Sequence, residues 1–237
     1  MDAVVGGGGL VQLPALLLAF PAAAPAQILA TNKLASICGT TTSSLTYARR
    51  IRPSARTVLP LAAAAFAGSA AGAACASLLP AAVFRPLVLV LLVAVGLYTW
   101  RRPDLGTVTA LRHEGHRHTV AAAGVGLGLG FYDGIFGPGT GAFLVLALVA
   151  VLGYAFLQAS ATAKIANAMT NLGALVVFVP QGAPLWRTGL LMGAANVVGG
   201  YLGARTAVAR GSAFVRGVLL VVVAALVVRL GYDVLTP

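Results

Sequence analysis

From Asp2 to Ala94 this chain can be laid over a later stretch of itself, without a gap, at a constant offset of about 131 residues. Asp2 falls on Asp133, Gly6 on Gly137, Gly8 on Gly139, Gln27 on Gln158, and Ala30-Thr31 on Ala161-Thr162. The only two lysines, Lys33 and Lys164, coincide, and the register runs on through Pro53 and Pro184, Arg56-Thr57 and Arg187-Thr188, Gly68 and Gly199, Gly72 and Gly203, and Arg85 and Arg216. Chance repetition of Ala and Leu could mimic a duplication in an apolar chain, but paired Lys, Gln, Asp and Arg could not. The chain is therefore read as two copies of one unit. In membrane proteins of that kind the substrate site commonly lies where the copies meet.

Composition says which solvent the copies fold in. Apolar residues make up 59% and charged residues 9% of the 237 positions, against about a quarter charged in a soluble globule. Apolar runs of helical length recur from end to end, so the expected class is an all-α polytopic, multi-pass membrane protein. The net charge of +11 is spread over turns between runs, as a positive-inside topology would have it, and not gathered into a nucleic-acid-binding face. Cys38 and Cys75 lie in apolar segments without ligand spacing, so no metal site and no disulfide framework is expected. His113, His116 and His118, with Arg112, Glu114 and Arg117, read as a solvated polar loop. No nucleophile–base set, carboxylate dyad or phosphate loop stands out, so no cofactor is expected and the chain is not read as an enzyme.

The apolar runs predict helices at Leu10 to Phe20, Ala26 to Tyr47, Thr57 to Leu79 and Val83 to Trp100, and again at Ala142 to Leu152, Leu157 to Val179, Leu185 to Val208 and Ala213 to Tyr232. The organisation is a first repeat over 1–100, a basic cytoplasmic loop over 101–118 and a second repeat over 119–237. One further run, Thr119 to Phe136, has no partner in the first repeat, where the chain begins at Met1. The expectation is that the first copy lacks its opening helix and that the start codon lies upstream. Arg49, Arg50, Arg52 and Arg56 crowd one loop of the first copy, whereas the matching loop of the second has Arg187 alone and the next has Arg205, Arg210 and Arg216. That reversal of weight predicts inverted repeats.

Gly6-Gly7-Gly8-Gly9 and Gly137-Pro138-Gly139-Thr140-Gly141 stand at matching places and divide helices too short to span, so each repeat is expected to hold glycine-broken half-helices. A half-helix that starts at such a break offers free N–H groups to an anion. Gly126, Gly128 and Gly130 read instead as helix-packing residues. Every cationic position other than Lys33 and Lys164 is Arg or His, which suggests that the lysine sites need a compact ammonium. Lys164, Asn167 and Asn171 recur at i, i+3 and i+7, a polar stripe on one helix face, and Asn32 adjoins Lys33. Asp133 is read as a partner for a lysine or as a proton carrier. The candidate substrate-binding set is Gly6, Gly8, Asn32, Lys33, Gly137, Gly139, Thr140, Lys164, Asn167 and Asn171, with Asp133 the proton-coupling candidate.

These same segments resemble the TauE/SafE sulfite exporter family: Gly6 to Leu10, Ala30-Thr31-Asn32-Lys33-Leu34 with Gly39-Thr40, Ala161 to Lys164, Thr170-Asn171-Leu172-Gly173, and above all Phe131-Tyr132-Asp133-Gly134-Ile135-Phe136 running into Gly137-Pro138-Gly139-Thr140-Gly141. The resemblance covers nearly the whole chain. It implies an inner-membrane permease for a small anion such as sulfite, a sulfonate or another sulfur-containing organic acid. The expected partners are that anion and membrane lipid, with a homo-oligomer left open. The rival from another class is a non-transporting membrane scaffold or assembly factor, in which the glycines and asparagines only pack helices.

Overall fold

A computed structural model describes residues 2–5, 8–76, 97, 101, 106–181 and 184–235 of the protein. Every regular element among them is helical: α1 (Asp2–Val5), α2 (Gly8–Ala19), α3 (Pro25–Ile51), α4 (Ala55–Cys75), α5 (Gly115–Ile135), α6 (Thr140–Ala147, widening into a π-turn at Leu148–Leu152), α7 (Phe156–Phe178) and α8 (Trp186–Leu235). Three stretches are long and apolar enough to cross a membrane, Ala55–Cys75, Phe156–Gln181 and Trp186–Ala225. Their outward faces suit lipid, with Leu59, Leu191 and Val221 largely exposed. The expected helix at Val83 to Trp100, with Arg85, and the glycines Gly6 and Gly7 lie outside the described residues.

Helix starts follow the repeat register. α3 and α7 begin at Pro25 and Phe156, each behind an extended alanine, Ala24 (φ −62, ψ 146) and Ala155 (φ −63, ψ 149). Pro25 suits the first helical position because its missing N–H would have no intrahelical partner there. α4 and α8 begin at Ala55 and Trp186, again one offset apart.

Packing turns on small residues. On α5, Gly126, Gly130 and Gly134 recur every four residues and press on Leu61, Ala65 and Ser69 of α4, while Gly68 and Gly72 of α4 press back on Leu127 and Phe131. A Cβ at any of these five would run into the opposite backbone, so only glycine permits this approach. Gly126 and Gly130 therefore pack as expected, but Gly128 faces open space. α3 runs antiparallel to α7: Tyr47, near the end of α3, meets Ser160, near the start of α7, and Ala30 clusters with Ala174 and Phe178. Midway, Asn171 Nδ2 stands 3.4 Å from Thr40 Oγ1, and these two positions match each other in the repeat register. α8 runs parallel to α3, with Thr31 bonded to the Leu185 N–H, Asn196 to the Ala35 carbonyl and Ser43 to the Gly200 carbonyl.

Two expectations need correction. The histidine cluster is not a solvated loop, because α5 starts at Gly115 and carries His116 and His118. His118 is buried, its Nε2 2.8 Å from Thr57 Oγ1, which in turn lies 2.6 Å from the Tyr154 hydroxyl. Charge density in the sequence hid a helix whose first turn packs inward through one histidine. The two expected helices Leu185 to Val208 and Ala213 to Tyr232 meet without a loop, at Gly211 (φ 75, ψ −168), a conformation that glycine alone adopts easily.

Candidate functional site

α5 stops at Ile135 and α6 starts at Thr140, and the chain turns between them through Gly137 (φ 90) and Gly139 (φ 81). The turn is tied down by the Tyr132 hydroxyl on the Pro138 carbonyl at 2.6 Å and the Thr140 hydroxyl on the Gly137 carbonyl at 3.0 Å. The result presents the first turn of α6, with Gly141, to the interior. Gly9, in the first turn of α2, comes to the same place from the first repeat. First-turn N–H groups have no intrahelical acceptor and carry the positive end of the helix dipole.

Between these helix starts lies a cavity lined by Gly9, Asn32, Lys33, Ser36, Asp133, Gly137, Gly141, Asn167 and Asn171, almost wholly polar. Its free volume of about 20 Å³ is room for a single water. Lys33 Nζ donates to the Asp133 main-chain carbonyl at 2.7 Å and stands 2.7 Å from Asp133 Oδ2 in an ion pair, with both side chains buried to within 3%. Only the carbonyl contact has the direction of a hydrogen bond; the carboxylate contact is one of charge. The buried Oδ1 of Asn32 has no hydrogen-bond partner among the described residues. Such an orphan acceptor at a cavity wall is a place where water or a ligand belongs.

The cavity gathers five of the expected site residues, Asn32, Lys33, Gly137, Asn167 and Asn171, together with Asp133. Gly139 and Thr140 shape the turn but do not line it, since Thr140 spends its hydroxyl on Gly137. Lys164 is fully buried one turn before Asn167 and is not part of the lining. Gly8 opens α2, and Gly6 lies outside the described residues. Sequence reasoning missed Gly9, Gly141 and Ser36. The glycines belong to the breaks already singled out, and Ser36 matches Asn167 in the repeat register, a signal that identity alone does not expose. Neither lysine reaches a surface to snorkel: Lys33 is 1% and Lys164 0% exposed.

Comparison with known proteins identifies the family. The profile of the family described as "Sulfite exporter TauE/SafE" matches residues 1–230. "Probable membrane transporter protein ORF9" of a Sinorhizobium species is 38% identical over 98% of this chain and 88% of its own. A "Probable membrane transporter protein" of Haemophilus influenzae is 34% identical over 98% of this chain and 90% of its own. "Probable membrane transporter protein YfcA" of Escherichia coli is 35% identical over 98% and 85%. No solved structure matches. With a profile match over almost its full length and relatives of this closeness, the chain belongs to the TauE/SafE sulfite exporter family of membrane transporters.

Proposed function

We propose that the protein is a multi-pass secondary transporter of the plasma membrane, built from two inverted repeats, that moves a small anion such as sulfite, a sulfonate or another sulfur-containing organic acid. The observation that carries this reading is the cavity at the seam of the two copies. Gly9, Asn32, Lys33 and Ser36 come from the first, and Asp133, Gly137, Gly141, Asn167 and Asn171 from the second. An ammonium, amide groups and two helix starts together make a wall suited to an oxyanion. Asp133 is the candidate for proton coupling. The protein acts as a permease, not an enzyme.

The inverted arrangement is supported by the antiparallel course of the matched helices α3 and α7. The Thr40–Asn171 contact supports it too, since residues on a two-fold axis meet their own counterparts. A cavity with room for one water cannot hold a sulfonate head group, so loading must part its walls. The motion that does this is the rocking of one copy against the other.

Reconstitution tests the reading directly. Proteoliposomes preloaded with unlabelled sulfite, methanesulfonate or sulfoacetate are expected to take up the labelled form of at least one by counterflow, and Lys33→Ala should abolish it. Absence of counterflow for all three would leave a scaffold as the better reading.

A further inference from the structure

Resting on that transport reading, we propose that the anion moves together with one proton carried by the Asp133 carboxyl, so that a monoanion crosses without net charge. The cavity holds a balanced pair, Lys33 with Asp133 at 2.7 Å. An anion that enters must share the ammonium with a carboxylate whose oxygens lie beside Gly137, at the cavity wall. Anion plus ionised carboxylate against one ammonium leaves a net negative charge in a buried site, which a low-dielectric surround strongly disfavours. A proton on Asp133 removes the excess, since the loaded site then holds ammonium, anion and neutral acid. Empty and loaded sites are both neutral, whereas the site with anion and no proton is not. Only the first two can cross the occluded step readily.

The surroundings can house that proton. A protonated carboxyl needs an acceptor for its O–H, and Asn32, whose buried Oδ1 has no hydrogen-bond partner among the described residues, lines the same cavity. Around Asp133, the titratable or charged groups among the described residues are Lys33 on α3 and the adjacent Tyr132 on α5, whose hydroxyl is committed to the Pro138 carbonyl. α4 brings Ser69 and Ala73 against the neighbouring Gly134, and α7 contributes the amides Asn167 and Asn171 to the cavity wall and carries Lys164, buried one turn before Asn167, outside the lining and with contacts of its own. Among the described residues, no second carboxylate and no histidine lines the cavity.

The test uses the full chain in proteoliposomes with methanesulfonate, sulfoacetate and sulfite. Counterflow, which needs no net proton movement, comes first, and its absence for all three sinks the transport reading and this inference with it. For methanesulfonate, if exchanged, an inward proton gradient should then drive accumulation of about tenfold per pH unit, while an imposed membrane potential should leave the rate unchanged. For an exchanged anion of either charge, addition to wild-type protein in weakly buffered detergent should take up one proton per anion bound beyond that of the free anion's own titration. Asp133→Asn should keep a reduced counterflow that no longer varies with pH and should lose gradient-driven accumulation. Counterflow with no proton taken up, or accumulation that follows the gradient in Asp133→Asn, would overturn the assignment while leaving the transporter reading intact. The wild-type proton count decides the matter even if the variant does not fold.

Discussion

At the scale of single residues, the Lys33–Asp133 pair explains why lysine stands at position 33 in a chain whose cations, Lys33 and Lys164 apart, are all arginine or histidine. Nζ fits between a main-chain carbonyl and a carboxylate on the same residue, beside Gly137, and a planar guanidinium would need more width. Lys33→Ala strands a buried carboxylate, so it should destabilise the protein by about 3–5 kcal/mol as well as end transport. Adding Asp133→Ala should restore much of the melting temperature in detergent but no flux. A double variant that transports would make the pair structural only. Gly137→Ala should fail for two reasons: φ of 90 is strained for any L side chain, and its Cβ would stand 3.0 Å from Lys33 Nζ. Lys164 is argued from the repeat and not from the cavity. Lys164→Arg keeps the charge yet should impair labelled-anion flux, and full activity with both lysines replaced by arginine would show that charge alone is needed. The sequence singled out Lys33, the asparagines and the acid that the cavity brings together because such groups are rare and expensive in lipid. It did not reveal Ser36, an ordinary residue in a membrane helix until the fold turns it to the same space as Asn167.

At the scale of elements, apolar runs located most described helices to within a few residues, since a membrane helix must satisfy its own backbone and so must be long and continuous. The misses came where another force decided the boundary. α5 extends back through charged residues because His118 finds Thr57 and Tyr154, a tertiary contact that periodicity cannot register. α8 bends at Gly211 instead of ending, and nothing in local composition distinguishes a bend from a stop. Within α5 the glycines separate by face in a way that predicts unequal consequences. Gly130→Leu should force α4 and α5 apart, lowering stability in detergent by about 1–3 kcal/mol or more, because even a Cβ there meets the Ala65 backbone. Gly128→Leu, one helical face away in open space, should leave the melting temperature and the yield in membranes close to wild type. Equal losses at both positions would show that glycine content, and not this interface, matters.

At the scale of the whole molecule, two asymmetric facts meet in one symmetric frame. The copies share helix starts, and α3 and α7 cross at a matched pair of residues, yet the cavity takes its lysine from the first copy and its acid from the second. A parallel duplication would put matched helices in the same direction. An inverted one, as we propose here, reverses each, and the antiparallel course of α3 and α7, with α8 lying parallel to α3, supports that reading. Arginine weighting in the sequence pointed the same way, but from few residues. The decisive measurement is sidedness at Arg56 and Arg187, matched positions in the first turns of α4 and α8, both exposed. With Cys38 and Cys75 replaced by serine, a single cysteine at each position in turn should react with a membrane-impermeant maleimide from opposite sides of the bilayer, position 56 from the cytoplasm and position 187 from outside. Reaction from one common side would make the copies parallel, remove the two-fold relation between Thr40 and Asn171, and leave a rocking exchange of two inverted halves without a structural basis.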